Sequence, residues 1–364
     1  MITNKGKEVI SKYMVGQTPA YASYIAIGCG ATPVVPGTTL TGLQTKEVLD
    51  FEVARVPVTS RGYVTEIVDG NPVQKLVLTA QIPSESRYGI TEIGLYPAVA
   101  NPVAINNDSK MLLNFDSSES WSKSLSGTTS LVAEGFLGTV SETITATEPI
   151  LTNAIDTVLV GETRKGRNEI PRNGYYSIVV PGQMTTFTGS TPSGNYLVLP
   201  NLGINLSNSS PSDVLKIAFS ILPTTIPATI SGSAKIVVEF SSSPNIATAD
   251  YARAEFNVAD ISTNSRYFVD SINVGDLQIN GSFSWSTASY VKVFVKTSSS
   301  GMFVALDGLR LDNVSSVSPV YGLVGYTIIK NSMTTSGGTT SAVPVVKDKD
   351  GTSFIEFRFQ VGVA

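Results

Sequence analysis

Ile90-Thr91-Glu92-Ile93-Gly94-Leu95-Tyr96, introduced by Arg87-Tyr88-Gly89, is the stretch around which this sequence is organised. Successive side chains of an extended chain point to opposite sides. Ile90, Glu92, Gly94 and Tyr96 therefore share one face, and Thr91, Ile93 and Leu95 share the other. The second set is mostly apolar, which predicts a strand with one face on a core. Gly94 inside the run predicts a bulge or a close neighbour. Nothing in the stretch announces proton transfer, phosphate binding or metal ligation. Architecture is legible here, and chemistry is not.

Upstream of that stretch, Asn4 is placed to cap a helix reaching Met14, with Val9, Ile10, Tyr13 and Met14 as its apolar stripe and Gly16 just beyond. Tyr21–Gly30 changes to an extended period and ends in Gly28-Cys29-Gly30. A lone Gly-x-Gly with no following helix reads as sheet and turn rather than a phosphate loop. Leu49–Val56 alternates, with Leu49, Phe51 and Val53 on one face; Asp50, Glu52 and Arg55 read as surface charges pairing across a sheet. Arg61–Val64 and Gln74–Ile82 read as strands joined by the turn at Asp69-Gly70-Asn71-Pro72.

Downstream, further strands are expected at Lys110–Phe115 and Leu131–Val140, with a Ser/Thr/Gly loop holding Trp121 between them. The basic run Arg164-Lys165-Gly166-Arg167, with Arg172, reads as a solvated segment or an inter-subunit contact. From Tyr175 to Val314 the pattern is short strands parted by Ser/Asn/Gly/Pro loops, the count expected of a two-sheet jelly roll. Tyr290–Lys296 and Phe303–Leu311 read as a closing hairpin, which resembles the last hairpin of carbohydrate-binding sandwich modules. Tyr321–Lys330 and Thr352–Val363 are two strands with too few partners for a core of their own, so they are expected to complete the first domain.

The chain has 364 residues, enough for two or three domains. Charged residues are 15%, well below the roughly 25% of ordinary soluble domains. A net charge of −4 argues against tracking nucleic-acid phosphates. With 0 histidines, His-based acid–base catalysis, Ser-His-Asp triads and His-containing zinc sites are excluded. The single cysteine, Cys29, forms no intrachain disulfide and reads as a small buried residue. No apolar run approaches the ~20 residues of a membrane helix, and the start lacks the apolar core of a signal peptide. These features point to a protein made in a cytoplasm yet carrying the polar, uncharged surface of an exposed particle component.

Asn4-Lys5-Gly6-Lys7, Gly16-Gln17-Thr18-Pro19, Tyr21–Gly30, Ser60-Arg61-Gly62-Tyr63 and Thr91–Tyr96 resemble structural proteins of tailed bacteriophages. The Ile-Thr-Glu-Ile-Gly-Leu-Tyr phrase is similar to the attachment regions of tail-fibre and collar proteins. The resemblance implies a non-enzymatic virion component of the tail or baseplate, a fibre or fibre adaptor, assembled in the host cytoplasm. A head or neck decoration protein is the alternative, and a glycan-degrading enzyme ranks behind both. The implied partners are further copies of the chain, most simply a trimer, other virion proteins and host surface polysaccharide, with no nucleic acid or membrane.

The expected fold is mainly β: an antiparallel α+β docking domain over residues 1–160, a jelly-roll-like β-sandwich over 161–316, and C-terminal strands over 317–364 returning to the first domain. No catalytic, cofactor-binding or metal residues are assigned. Asp307 and Asp312 read as turn carboxylates rather than calcium ligands. Trp285 and Tyr290 are the candidate carbohydrate contacts, set near the Ser/Asn-rich loops Ser241–Tyr251 and Asn280–Ser289, with burial against the closing hairpin as the alternative for Trp285.

Overall fold

A computed structural model describes residues 2–15, 22–30, 44–84, 88–97, 110–113, 122–124, 129–135, 138–144, 151–153, 176–183, 196–199, 206–207, 209–223, 235–243, 250–257, 267–296, 302–312, 323–328, 332–334, 340–342, 344–347 and 353–360. Trp121, the basic run at 164–167 and Arg172 lie outside these residues. The chain is mainly β and divides into two compact units. The first is Met1–Asn107 with Ser316–Met333 and Thr340–Ala364; the second is Asp108–Ser315 with Thr334–Thr339. The first boundary thus falls earlier than residue 160. Lys110–Leu113 pairs with Met302–Asp312 and Leu151–Asn153 with Tyr176–Gln183, and these ladders carry both segments into the second unit.

The first unit begins with helix α1 (Asn4–Met14). Its cap is Thr3 rather than Asn4: the Thr3 hydroxyl accepts the Gly6 N–H at 3.0 Å, and the Thr3 carbonyl accepts that of Lys7. Ile10 and Met14 face solvent, and the buried line is Thr3, Gly6 and Val9. The reason is proximity: a Cβ on Gly6 would lie 2.2 Å from the Val324 carbonyl oxygen, so the helix rests on the chain by its small residues.

Strands β1 (Ala22–Gly28), β2 (Glu52–Val68), β3 (Asn71–Ile82), β4 (Tyr88–Ile90) and β5 (Glu92–Pro97) follow. The expected strands at 49–56 and 61–64 are one continuous β2, whose register shifts against β3 between Val58 and Ser60 and against β1 at Val53. The turn between β2 and β3 has Asp69 at φ 51° and Gly70 at φ 80°. Two left-handed residues in succession are what a two-residue hairpin turn requires, and Asp-Gly supplies them cheaply.

The sheet order is Gly325–Ile328, β5, β1, β2, β3, Ser353–Gln360, all antiparallel. The C-terminal strands therefore return to the first unit and occupy both edges of its sheet. Val345–Lys347 adds a third contact, pairing with β4. Ile25, Ile27, Val56, Val58, Leu78, Ala80, Leu95 and Ile355 make the main core on one face. On the other, Ala26, Leu49, Tyr96, Leu323 and Tyr326 form a second cluster. Strand β5 is thus covered on both sides, not one. Phe354, at the start of Ser353–Gln360, is 64% exposed.

In the second unit the strand order is Tyr267–Asn273, Val214–Pro223, Met302–Asp312, Tyr176–Gln183, Tyr290–Lys296, Lys235–Ser241, Tyr251–Asn257, Gln278–Asn280. Leu215, Ile217, Phe219, Leu306, Leu309 and Leu311 from one half of this order share a single core with Ile236, Val238, Phe240, Ala252, Ala254, Phe256, Val291 and Val293 from the other. The two halves face one another across that core, which is a β-sandwich-type fold made from one curled sheet. The expected closing hairpin does not form. Tyr176–Gln183 stands between Tyr290–Lys296 and Met302–Asp312, pairing with the first in parallel and the second antiparallel. Each strand brings its apolar side to the core from its own half, and direct pairing would place both in one half.

The C-terminal segment contributes Leu323, Val324, Tyr326 and Ile355 to buried positions of the first unit. Each such side chain is worth about 1.5–3 kcal/mol, comparable in sum with the roughly 5–15 kcal/mol stability of a whole domain. Deleting Tyr321–Ala364 should therefore unfold the first unit and leave the sandwich protected, as read by limited proteolysis with mass spectrometry. Recovery of an intact fragment from the first 107 residues would overturn this assignment.

Candidate functional site

Two buried charged clusters stand out, one in each unit. In the first, Glu92 is 1% exposed at the start of β5. Its Oε1 accepts the Phe51 N–H at 2.9 Å, and its Oε2 accepts the Asp50 N–H at 3.0 Å and the Tyr326 hydroxyl at 3.1 Å. The Gly-Cys-Gly motif makes room for this carboxylate. A Cβ on Gly28 would lie 2.5 Å from Glu92 Oε1, and one on Gly30 would lie 2.9 Å from it. Cys29 is fully buried beside them, its N–H donating to the Phe51 carbonyl. Gly94 has a similar role without any bulge: a Cβ there would sit 2.5 Å from a Leu323 methyl, while its pairing with Ala26 and Tyr326 stays regular.

Burial is the main cause that pushes the Glu92 carboxyl up to about 7, reinforced by the nearby Asp50 charge and opposed by the two backbone donors. Burial also raises the hydroxyls of Tyr96 and Tyr326. The surrounding charges are already matched: Asp50 pairs with Lys46, and Glu52 with Arg55 at 2.7 Å, while the Arg55 guanidinium lies 3.9 Å above the Tyr96 ring. Asp50, Glu52 and Arg55 thus pair along the chain rather than across the sheet. The cluster is a fastening of four segments.

The second cluster lies on the side of the sandwich sheet away from the core. Register sets two rows across it. One row is Asn280, Tyr251, Ser241 and Tyr290; the next is Gln278, Arg253, Glu239, Lys292 and Val198. Glu239 and Lys292 have no exposure, and Arg253 is 8% exposed. Lys292 Nζ donates to Glu239 Oε1 at 2.9 Å and to the Ser241 hydroxyl at 2.6 Å; Arg253 donates to Glu239 Oε2 at 2.6 Å. Burial lowers the Lys292 ammonium pKa, and Glu239 opposes that. The Arg253 guanidinium also lies 4.1 Å over the Tyr251 ring, so charge and ring support each other.

Tyr251 and Tyr290 are half-buried and both stand opposite Ser241, from its two neighbouring strands. Two strand spacings set them roughly 10 Å apart on one face. Asn280 and Gln278 are exposed beside Tyr251 and Arg253. The row offers two flat rings with the exposed Asn280 amide beside them, next to a rigid ionic row on the same face; Ser241 between the rings is fully buried, its hydroxyl accepting from Lys292 and donating to the Ser243 carbonyl. Trp285 is elsewhere: half-buried, it packs on the core rim edge-to-face with Phe240 at 5.1 Å and Phe283 at 5.0 Å. Phe240 points to the core and Tyr290 to the opposite side of the sheet, so the two expected contacts do not share a platform.

Asp307 and Asp312 lie within the strand Met302–Asp312 rather than in a turn. Asp312 pairs with Lys216 at 3.0 Å and with Arg310, and Asp307 is fully buried. Among the described residues no group of three or more His, Cys, Asp or Glu could hold a metal ion. No helix among them is long and apolar enough to cross a membrane.

No known protein family matches the sequence, and no curated protein does. Among solved structures, the glycoside hydrolase domain of Endo-D from Streptococcus pneumoniae R6 is similar at 14% identity and TM-score 0.21, over 39% of this chain and 19% of that one. A family 11 carbohydrate-binding module from Clostridium thermocellum, in complex with a β-1,3-1,4-mixed-linked tetrasaccharide, is similar at 12% identity and TM-score 0.27, over 56% of this chain and 95% of the module. At these scores the likeness assigns no function.

Tyr251, Arg253, Glu239 and Lys292 carry no motif, which is why sequence reading passed over them. Their signal is the alternation of the three strands that carry them; the register that aligns them is set only in the fold. Glu92 was in view throughout, but its partners are 41 and 234 residues away.

The pH dependence of stability tests the Glu92 geometry. Its carboxyl is raised from 4.5 to about 7 in the fold, so between those values the folded state holds more proton than the unfolded one. Stability of the first unit should then fall as pH rises through this window, by about 3 kcal/mol in all. With 0 histidines in the chain, few other groups titrate there. Thermal melts from pH 5 to 8 should show this slope, flattened in Glu92→Gln; equal slopes in both proteins would refute it.

Proposed function

We propose that this chain is a non-catalytic structural component of a tailed-phage particle, of the tail or baseplate fibre or adaptor type. The first unit is the attachment module, and the sandwich contacts host-surface glycan. The observation that carries this reading is the division of labour in the fold. The N- and C-terminal segments build one unit, in which Tyr326 is fastened to Glu92, and residues 108–315 form a separate sandwich inserted within it. That arrangement suits a docking base carrying a recognition module. The motifs that resemble phage tail proteins all fall within the first unit.

Glycan contact is assigned to Asn280, Tyr251 and Tyr290, which lie in one row across the sheet. Ring faces suit the apolar faces of sugars, and hydroxyl and amide groups suit their hydroxyls. The buried Glu239–Lys292–Arg253 ladder in the adjacent row holds these residues in place, which lowers the ordering cost of binding. A ring separation of two strand spacings favours an oligosaccharide over a single sugar.

Negative-stain imaging of phage particles with antibody to this chain tests the placement: label at the tail or baseplate supports it, and label on the head or neck favours a decoration protein. For the glycan contact, Tyr251→Ala and Tyr290→Ala should each leave the melting temperature within a few degrees and weaken binding to host polysaccharide about tenfold or more, roughly 1.4 kcal/mol. Trp285→Ala is the contrast: as a rim packing residue it should lower the melting temperature instead. Undiminished binding in both tyrosine variants would remove this row from the reading.

A further inference from the structure

The sheet of the first unit ends at Ser353–Gln360, and among the described residues no strand pairs with its outer edge. An eight-residue edge strand without proline is a template for another strand. Its sequence, Phe354-Ile355-Glu356-Phe357-Arg358-Phe359-Gln360, places opposite charges symmetrically about Phe357. Glu356 and Arg358 share the face away from the core, with 44% and 49% of their side chains accessible. Positions 355, 357 and 359 alternate to the other face, where Ile355 joins the core.

We propose that two copies of this chain associate by antiparallel pairing of this strand with itself, about a two-fold axis at Phe357. Glu356 then stands directly opposite the partner's Arg358, and Arg358 opposite the partner's Glu356. The charges select this register. An axis at Glu356 or at Arg358 sets like charges opposite one another, which destabilises a strand pair. A shift by one residue puts apolar positions against charged ones on the same face. In-register parallel pairing aligns like with like. Only the axis at Phe357 satisfies both faces.

Arg358 is equipped for the second contact. It already donates to Glu66 at 2.7 Å and to Glu356 of its own strand. Five N–H donors in a planar fork let a guanidinium serve more than one carboxylate. The Glu66 contact, on the β2 hairpin, is made within one copy and leaves about half of the Arg358 side chain accessible. The joined sheets would have twelve strands, six from each copy, with the row of apolar positions running across the seam. The partner is therefore a second copy in a closed pair, in place of the trimer implied by resemblance, and the inference stands apart from the particle reading.

Sedimentation velocity of the full chain across the micromolar range, with four variants, tests this. The wild type should dimerise. Glu356→Arg and Arg358→Glu, which set like charges opposite one another twice over, should each raise the dissociation constant about tenfold or more. The double variant Glu356→Arg/Arg358→Glu restores opposite charges in the same register and should recover wild-type association. Glu66→Gln, which alters only the contact within one copy, should leave association unchanged. Circular dichroism melts confirm that each variant is folded. A wild type that stays monomeric, an assembly indifferent to both single changes, a loss the double variant does not recover, or dissociation by Glu66→Gln would each overturn the proposal.

Discussion

The first unit depends on one carboxylate. Glu92 accepts hydrogen bonds from two successive backbone N–H groups, at Asp50 and Phe51, and from the hydroxyl of Tyr326. Those donors come from the segment before β2 and from the C-terminal return, so one side chain joins pieces of chain that have no local reason to meet. Removing such a carboxylate from water is costly, and the donors offset that cost only where all are in place. The glycines at 28 and 30 follow from the same requirement, because any larger residue would occupy the carboxylate's position. The Tyr96 hydroxyl accepts the Leu49 N–H and so secures the same segment from a second point.

The sandwich uses its buried charges in a different way. Glu239 stands between Lys292 and Arg253 on adjacent strands, so one carboxylate meets two cations along the direction of backbone hydrogen bonding. A buried ladder of this kind adds little net stability over a well-packed apolar equivalent, but loss of one member leaves the others buried without a match. Its structural value is register. Sliding any of the three strands by one residue would turn a charge into the apolar core made by Ile236, Val238, Ala252, Ala254, Val291 and Val293. The same constraint holds Tyr251 and Tyr290 level with Ser241.

Charge is used sparingly elsewhere and follows the same rule. Glu66, Lys75, Glu356 and Arg358 form a chain of contacts on the polar face of β2, β3 and Ser353–Gln360, while the opposite face continues toward the core. In both units, then, a largely uncharged chain places its few ionic groups where strand neighbours are specified. This accounts for how a 15% charged fraction can coexist with closely defined sheets.

The sequence by itself determined the local structure. Alternation and turn residues were enough to read the run of short sandwich strands between Tyr175 and Val314, the helix Asn4–Met14, and the Asp69-Gly70 hairpin. Counting strands was enough to expect the C-terminal segment to return to the first unit, because two strands cannot bury a core. All of these rest on short-range physics: side-chain period, backbone preference and the need for cover. What only the tertiary structure decided were the contacts between residues distant in the chain. These include the burial of Glu92, the separation of Tyr290–Lys296 from Met302–Asp312 by Tyr176–Gln183, the placing of Trp285 and Tyr290 on opposite sides of one sheet, and the capture of Lys110–Leu113 by the second unit. Pairing partners are set by the summed burial of whole faces, and no single stretch of sequence contains that sum. A carboxylate in a strand reads as surface until the residues that enclose it are brought from elsewhere in the chain.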